Sequence, residues 1–339
     1  RSSETLILST GSGVSHPVEL AEVVERVRSY RGVARKAPIG SVARSLIPRS
    51  GRIIAAHGED AAAIGHGKEV LLLAADGIVQ DLVDKDPRWA GYCSVLVNAN
   101  DIAAMGGVPI AAVDVLSCGD PGLRSSIVKG MRSACDKFGV PMVGGHLHPD
   151  SPYVAVDVAM LGRTTPRRLV LSSGARPGDS VVFAMDLDGS YTPGVPYSWD
   201  TTSRKSPGEV QSRLRTMNAI APMLTAGKDI SNPGCLGTLG MLLEASSKGA
   251  KVDIDLIPSP EHGDMLQWLT AYQGCGFVVT CAPGAAERVC RRFASSGLEA
   301  AVCGRVVPGK RMRVRSGDEE ATLFDFAKDT LGCLTPKRI

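Results

Sequence analysis

Four carboxylate stations carry the chemistry that this chain can be read for: Gly58-Glu59-Asp60-Ala61-Ala62, Ala74-Ala75-Asp76-Gly77, Asn98-Ala99-Asn100-Asp101-Ile102 and Lys228-Asp229-Ile230-Ser231-Asn232. Each sets an acid beside glycine, alanine or another small residue, in or next to an apolar run. A buried carboxylate is costly unless it is paired or holds a metal. Several converging in one cleft repel each other unless cations lie between them. Hard carboxylate oxygens suit Mg²⁺, which bridges a few acids and the phosphates of a nucleotide. The stations therefore predict an acidic Mg²⁺–nucleotide site. Asp before glycine is also common turn chemistry, and Asp229 near Ser231 and Asn232 can be read as a helix cap. Asp101 resists both explanations, because it lies inside an apolar helical stretch.

Further candidates are less specific. His146, His148 and Asp150 alternate in Gly144-Gly145-His146-Leu147-His148-Pro149-Asp150, so in an extended strand they share a face and can act as base, substrate clamp or second metal site. Lys36 sits in the basic turn Val33-Ala34-Arg35-Lys36 and can contact a phosphate or simply be solvated. Arg167, Arg168 and Arg176 flank a Pro- and Gly-rich stretch and read as locally paired or solvated. Cys275, with no histidine beside it in sequence, is a poor nucleophile candidate.

The elements that must position these residues follow from periodicity. An apolar stripe predicts a helix over 17–30, and helices are expected at 89–105, 121–138, 210–226, 236–247 and 285–296. Strands are expected at 53–56, 70–75, 111–116, 140–143, 154–162, 180–185, 252–256, 276–281 and 300–307, and residues 189–207 read as a long loop, a functional lid or mobile segment. The alternation is too irregular for a doubly wound sheet and predicts an α+β arrangement with sheets covered on one face. The Pro-, Gly- and charge-rich run 164–179 is the expected domain boundary. The predicted division is an extension or tag over 1–16, an N-terminal domain over 17–165, a C-terminal domain over 166–315 and a tail over 316–339.

Composition narrows the partners. With 38 Lys and Arg against 35 Asp and Glu, the chain has too little charge bias to argue for nucleic acid or an anionic membrane. No apolar run approaches the roughly 18 residues that span a bilayer. The nine cysteines lack any C-x-x-C pair and no secretory signal opens the chain, so reduced thiols in the cytoplasm are expected. Neither G-x-x-x-x-G-K-[ST] nor a G-x-G-x-x-G that follows a strand is present, so metal ions must do much of the holding of any nucleotide phosphates.

The order of the acid stations, with Val143-Gly144-Gly145-His146, Ser173-Gly174-Ala175-Arg176-Pro177-Gly178-Asp179 and Gly304-Arg305-Val306, resembles the superfamily of aminoimidazole ribonucleotide (AIR) synthetase, thiamine-monophosphate kinase, selenophosphate synthetase and the hydrogenase maturation factor that dehydrates a carbamoyl group. The resemblance runs from about Glu19 to Gly309. It implies an α+β, two-domain fold: an N-terminal α/β domain whose strands complete a barrel with a second subunit, and a C-terminal α+β domain. It also implies a homodimer and a cleft for ATP and Mg²⁺. By position it implies Asp60, Asp76, Asp101 and Asp229 as metal ligands with Asn232 sharing the site. Asn98, Gly144, Gly145, Arg163 and Ser231 would bind the nucleotide, and Lys36 and His146 would be catalytic. The expected chemistry is phosphoryl transfer to an amide, carboxylate or phosphate oxygen of a small metabolite. A non-catalytic ATP-binding regulatory subunit and a purine-type cyclo-ligase are the alternatives.

Three departures shape that expectation. The kinases' Gly-Gly-Asp-Thr is Gly144-Gly145-His146-Leu147 here, against a plain thiamine-phosphate kinase. The selenide enzymes' Cys-x-Cys-Lys is Val33-Ala34-Arg35-Lys36, which keeps the lysine and loses the cysteine. The carbamoyl dehydratase's terminal cysteine is replaced by an ending in Pro336-Lys337-Arg338-Ile339. The chain looks most like the uncharacterised AIR synthase-related proteins, including those labelled methanogenesis markers.

Overall fold

Strict alternation builds the first sheet. Along Ala155–Thr164, Val156, Val158 and Met160 are buried while Asp157, Leu161 and Arg163 are exposed, the period-2 signature of a sheet covered on one side. This is visible in a computed structural model that describes residues 19–36, 38–46 and 50–333. The expected extension over 1–16 lies outside the described residues.

The strands β1 (Ile53–Ala55), β2 (Ala62–His66), β3 (Glu69–Gly77), β4 (Val108–Ser117), β5 (Met142–His148) and β6 (Ala155–Thr164) form one sheet in the order β1-β2-β3-β6-β4-β5. Only β4 and β5 run parallel. Helices Pro87–Ala104 and Pro121–Phe138 cover its inner face. They approach so closely that a Cβ on Gly130 would lie 1.9 Å from the carbonyl oxygen of Arg88, which only glycine permits. Asp86 caps the first helix by accepting from the Trp89 N–H, with Pro87 at its first position. The outer face stays open and carries Ile54, Leu73, Val113, Val115 and Leu161, all exposed.

A second sheet comprises β7 (Ser180–Met185), β10 (Leu224–Asp229), β11 (Gly249–Asp253), β12 (Gly276–Cys281), β13 (Glu299–Val307), β14 (Arg311–Ser316) and β15 (Glu319–Asp325), in the order β10-β12-β7-β13-β11-β14-β15. β8 (Ser190–Thr192) and β9 (Val195–Asp200) form a separate ribbon. One face of the sheet buries Val182, Ala184, Phe277 and Val279 in the core that also holds the Pro87–Ala104 helix. The opposite face buries Val181, Phe183 and Val278 with Leu236, Leu239 and Leu242. The α+β, two-domain expectation is met: each half is a mixed α/β unit around its own sheet. Among the described residues no helix is long and apolar enough to cross a membrane.

Several sequence-level boundaries move. The first helix, Leu20–Ser29, buries Leu20, Val23 and Val27 in the core of the second half, and Arg28 pairs with Asp329 at 2.9 Å. The segment read as a tail supplies β15, and the backbone N–H groups of Leu331 and Cys333 donate to the Glu244 carboxylate. Residues 189–207 are not a plain loop: they hold a β-ribbon anchored to the long helix, where Trp89 Nε1 donates to Ser198 Oγ at 2.7 Å and Tyr92 Oη to Thr202 Oγ1 at 3.0 Å. The helix expected over 210–226 ends at Ile220 before Pro222, and Leu224–Asp229 is strand. The strand expected over 140–143 runs instead to His148, so Gly144-Gly145-His146 lies within it.

Candidate metal–nucleotide site

The acids meet because four different elements end at one cleft. Gly58, at φ 102°, turns the chain after β1 so that Glu59 and Asp60 precede β2. Asp76 stands near the end of β3 and Asp229 at the end of β10. Val97, Asn100 and Asp101, spaced i, i+3 and i+4, present one side of the long helix to the same cavity. Asp60, Asp101 and Asp229 each offer a carboxylate oxygen, and these oxygens lie within 4.8 Å of one another. The cavity holds about 420 Å³ and is also lined by Lys36, His57, Glu59, Asp76, Lys228 and Gln273. That is a volume ordinary for a small-molecule site.

Electrostatics here are those of an undercompensated acid cluster. Burial pushes Asp229 up to about 8, and the charge of Asp60 adds to this while Lys228 opposes it. Asp101 is driven well above the carboxylate range by burial and then by Asp229, Asp76 and Asp60. Asp76 is raised by the surrounding protein, with Lys36 opposing; its carboxylate opens into the cleft, where solvent softens the effect. Burial also raises Glu59, whose Oε2 accepts from the Ser172 N–H at 2.6 Å. Burial lowers Lys36, and Asp76 partly offsets it. Burial alone would lower Lys228, but Asp60 and Glu59 hold it firmly protonated. Five carboxylates thus share the cavity with Arg35, Lys36 and Lys228, so they can all ionise together only if a further cation joins them. Glu59 Oε1, Asp60 Oδ2 and Asp229 Oδ1 are buried without a hydrogen bond. An all-oxygen donor set with excess negative charge fits a hard divalent cation such as Mg²⁺.

The structure gathers Lys36, Asp60, Asp76, Asp101, Asp229, Ser231 and Asn232 around the cavity. Asn232 Nδ2 donates to Tyr272 Oη at 3.0 Å. It does not bring the other candidates there in this chain. Asn98 is wholly buried one position round the helix, with its Nδ2 on the Ser94 carbonyl at 2.9 Å, and Asn100 takes the cleft-facing place. Gly144, Gly145 and His146 lie on the exposed edge strand β5. Asp76 shares a cross-strand row with Val158, Asp114 and Gly145, three strands and roughly 14 Å across. Arg163 sits on the outer face opposite Leu71, about 17 Å along the strand from that row, and pairs with Glu69 at 3.5 Å. The His146 and His148 rings do share a face, with centroids 4.6 Å apart, but without an acid beside them in a metal-sized group among the described residues. Arg168 bonds Asn218, and burial pushes the Cys275 thiol up to about 12.

Sequence reasoning passed over four contributors. Lys228 and Glu59 stand inside the quoted motifs, and a lysine in the apolar run Leu224-Thr225-Ala226-Gly227-Lys228 was the available signal. Asn100 was adjacent to the chosen acid. Gln273 gave no signal; its left-handed φ of 71° and unpartnered buried Oε1 are visible only in the structure.

Comparison with known proteins bears on the family and the fold. Family profiles described as AIR synthase related protein, N-terminal domain and C-terminal domain match residues 58–164 and 176–317. An uncharacterized protein of Methanocaldococcus jannaschii, MJ0640, is 40% identical over 93% of this chain and 100% of its own length. The thiamine-monophosphate kinase of Halobacterium salinarum is 30% identical over 63% of this chain and 74% of its own. Among solved structures, Thermotoga maritima PurL complexed with ADP superposes with a TM-score of 0.76 at 19% identity over 94% of this chain. The chain spans about half of that PurL, 54% of its length.

Proposed function

We propose a function from one premise: this chain belongs to the AIR synthase-related family. It is a cytoplasmic enzyme that uses ATP and Mg²⁺ to transfer the γ-phosphoryl group to an amide, carboxylate or phosphate oxygen of a small metabolite. The observation that carries this reading is the convergence of Asp60, Asp101 and Asp229 within 4.8 Å in a cavity of nucleotide-binding size. Relatives named as a kinase and as a PurL bound to ADP support it.

Asp60, Asp101 and Asp229, with Asp76 beside them, would hold the metal, which supplies charge neutralisation at the phosphates. Lys36, facing Asp76 across the cleft, steadies negative charge on the transferring group. Ser231 and Asn232, at the turn into the helix Gly234–Ser246, flank the nucleotide. Asp101 and Asp229 are buried, which strengthens the charge interactions they make. The free thiols suit a reducing compartment. Isothermal titration of ATP is expected to give binding with Mg²⁺ and none with EDTA; heat in neither buffer would overturn the reading.

The open sheet face suggests the second partner. Ile54, Leu73, Leu161, Val113 and Val115 make an apolar strip across β1, β3, β6 and β4, with Arg163 and Gly144-Gly145-His146 on the same face or its edge. In this reading a second copy covers the strip, and those four residues belong to the dimer interface. Leu161→Glu is expected to convert a sedimenting dimer into a folded monomer; a wild-type monomer in the ultracentrifuge would refute it.

A further inference from the structure

We propose that Lys228 is a resident counter-ion: it holds Asp60 while the cleft is empty of metal, then leaves it and turns to the nucleotide's phosphates when metal arrives. The inference rests on the metal–nucleotide reading above and adds to it the residue that makes the two ligands bind in concert.

Lys228 Nζ bonds Asp60 Oδ1, with the lysine side chain 2% exposed and the aspartate 7%. Asp60 is at the same time one of the three carboxylates whose oxygens converge. The ammonium therefore stands on a carboxylate that the cation would need. A divalent ion on Asp60 and an ammonium on its Oδ1 repel each other, so a metal that arrives there weakens the lysine's hold.

The surroundings favour departure over coexistence. Lys228 directly precedes Asp229, which fixes its backbone at the rim of the acid triad, while its four-carbon stem gives the ammonium reach. It lines the same cavity as Lys36, so the cleft lies within reach of a rotamer change. Asp60 Oδ2, Asp229 Oδ1 and Glu59 Oε1 are already unpartnered, so the lysine satisfies only part of the acid cluster and leaves ligand atoms waiting. A cation pulled off Asp60 needs a new anionic partner, and a phosphate oxygen in the cleft provides one.

Opposite signs test this. Manganese is the probe, with free Mn²⁺ followed by electron paramagnetic resonance on the full chain. Without nucleotide, Lys228→Met is expected to bind Mn²⁺ about tenfold tighter than wild type, within the usual range for coupled sites. At saturating Mn²⁺ it is expected to bind ATP about tenfold more weakly, the loss of one charge-assisted hydrogen bond. A lysine that merely braces the 58–60 turn would leave Mn²⁺ affinity unchanged or lowered, and that result overturns the proposal. Should the variant fail to fold, wild-type protein answers alone. Acetylation of Lys228 by an N-hydroxysuccinimide ester, read by mass spectrometry, is expected to rise with Mn²⁺ and fall again with ATP. Labelling indifferent to bound Mn²⁺ overturns the exchange while sparing the metal site. A wild-type chain that binds no Mn²⁺ removes both.

Discussion

Asp101→Asn is expected to slow ATP turnover by about 10²–10³-fold, the usual cost of removing one preorganised electrostatic contact, while the metal-free protein becomes more heat-stable. The two effects share a cause. Asp101 is surrounded by Asp229, Asp76 and Asp60, whose charges push its proton affinity up after burial has already done so. An asparagine keeps the shape and needs no proton to be buried there, so the empty fold is spared the cost of neutralising the acid. Each kcal/mol relieved raises the melting temperature by about 2–4 °C in a chain of this class of size. The same substitution removes a hard ligand from the convergent triad. Scanning calorimetry in EDTA and a coupled ADP-release assay read the two halves. Unchanged turnover would sink the ligand assignment, and a lower melting temperature would mean that Asp101 is a structural acid.

The second large effect is on pH dependence. In the folded chain without metal, Asp229 keeps its proton up to about pH 8, because burial and Asp60 disfavour its charge. In the unfolded chain it loses the proton near 4. Between those values the folded state binds more protons than the unfolded one, so stability declines as pH rises. Below about 4 and above about 8 this group adds no further change. Asp101 and Asp76, both raised, act in the same direction. Magnesium replaces those protons, so its stabilising effect should grow with pH. The melting-temperature difference between Mg²⁺ and EDTA is expected to widen from pH 6 to pH 8.5. A constant difference, or an EDTA form that grows more stable across that range, would contradict the acid cluster's predicted charge state.

Much of this was legible in the residues. Helix 121–138 and strands 180–185 and 276–281 were readable because their apolar period and their flanking Gly, Pro and Asp agree. The acids were legible because a carboxylate inside an apolar helix or at a strand end has few structural uses. What failed has identifiable causes. Ala62–His66 is a strand only because β1 and β3 pair with it; Ala-Ala-Ile-Gly-His has little propensity of its own. Leu20–Ser29 shows its amphipathic stripe in sequence but not which half it joins. Arg163 and His146 carry the right chemistry, yet only the strand register reveals that they face away from the acids of their own chain. Lys228 escaped because a lysine beside an aspartate reads as a surface pair until burial is known.

The position of the first helix bears on modularity. Residues 58–164 and 176–317 match as two separate domains, and a gene could be imagined to split between them. This chain would not survive that cut as two working pieces. Leu20, Val23 and Val27 would leave with the first piece, although their apolar stripe fills the core of the second. The second piece would uncover Phe324, over whose ring Arg28 lies, and its Asp329 would lose the Arg28 guanidinium. Lys36, just past the short helix Arg31–Ala34 that follows the first helix, would be parted from the second half's share of the cleft. The early segment works as a clasp, so recombination within the family should respect residues 20 to 333 as one inheritable unit.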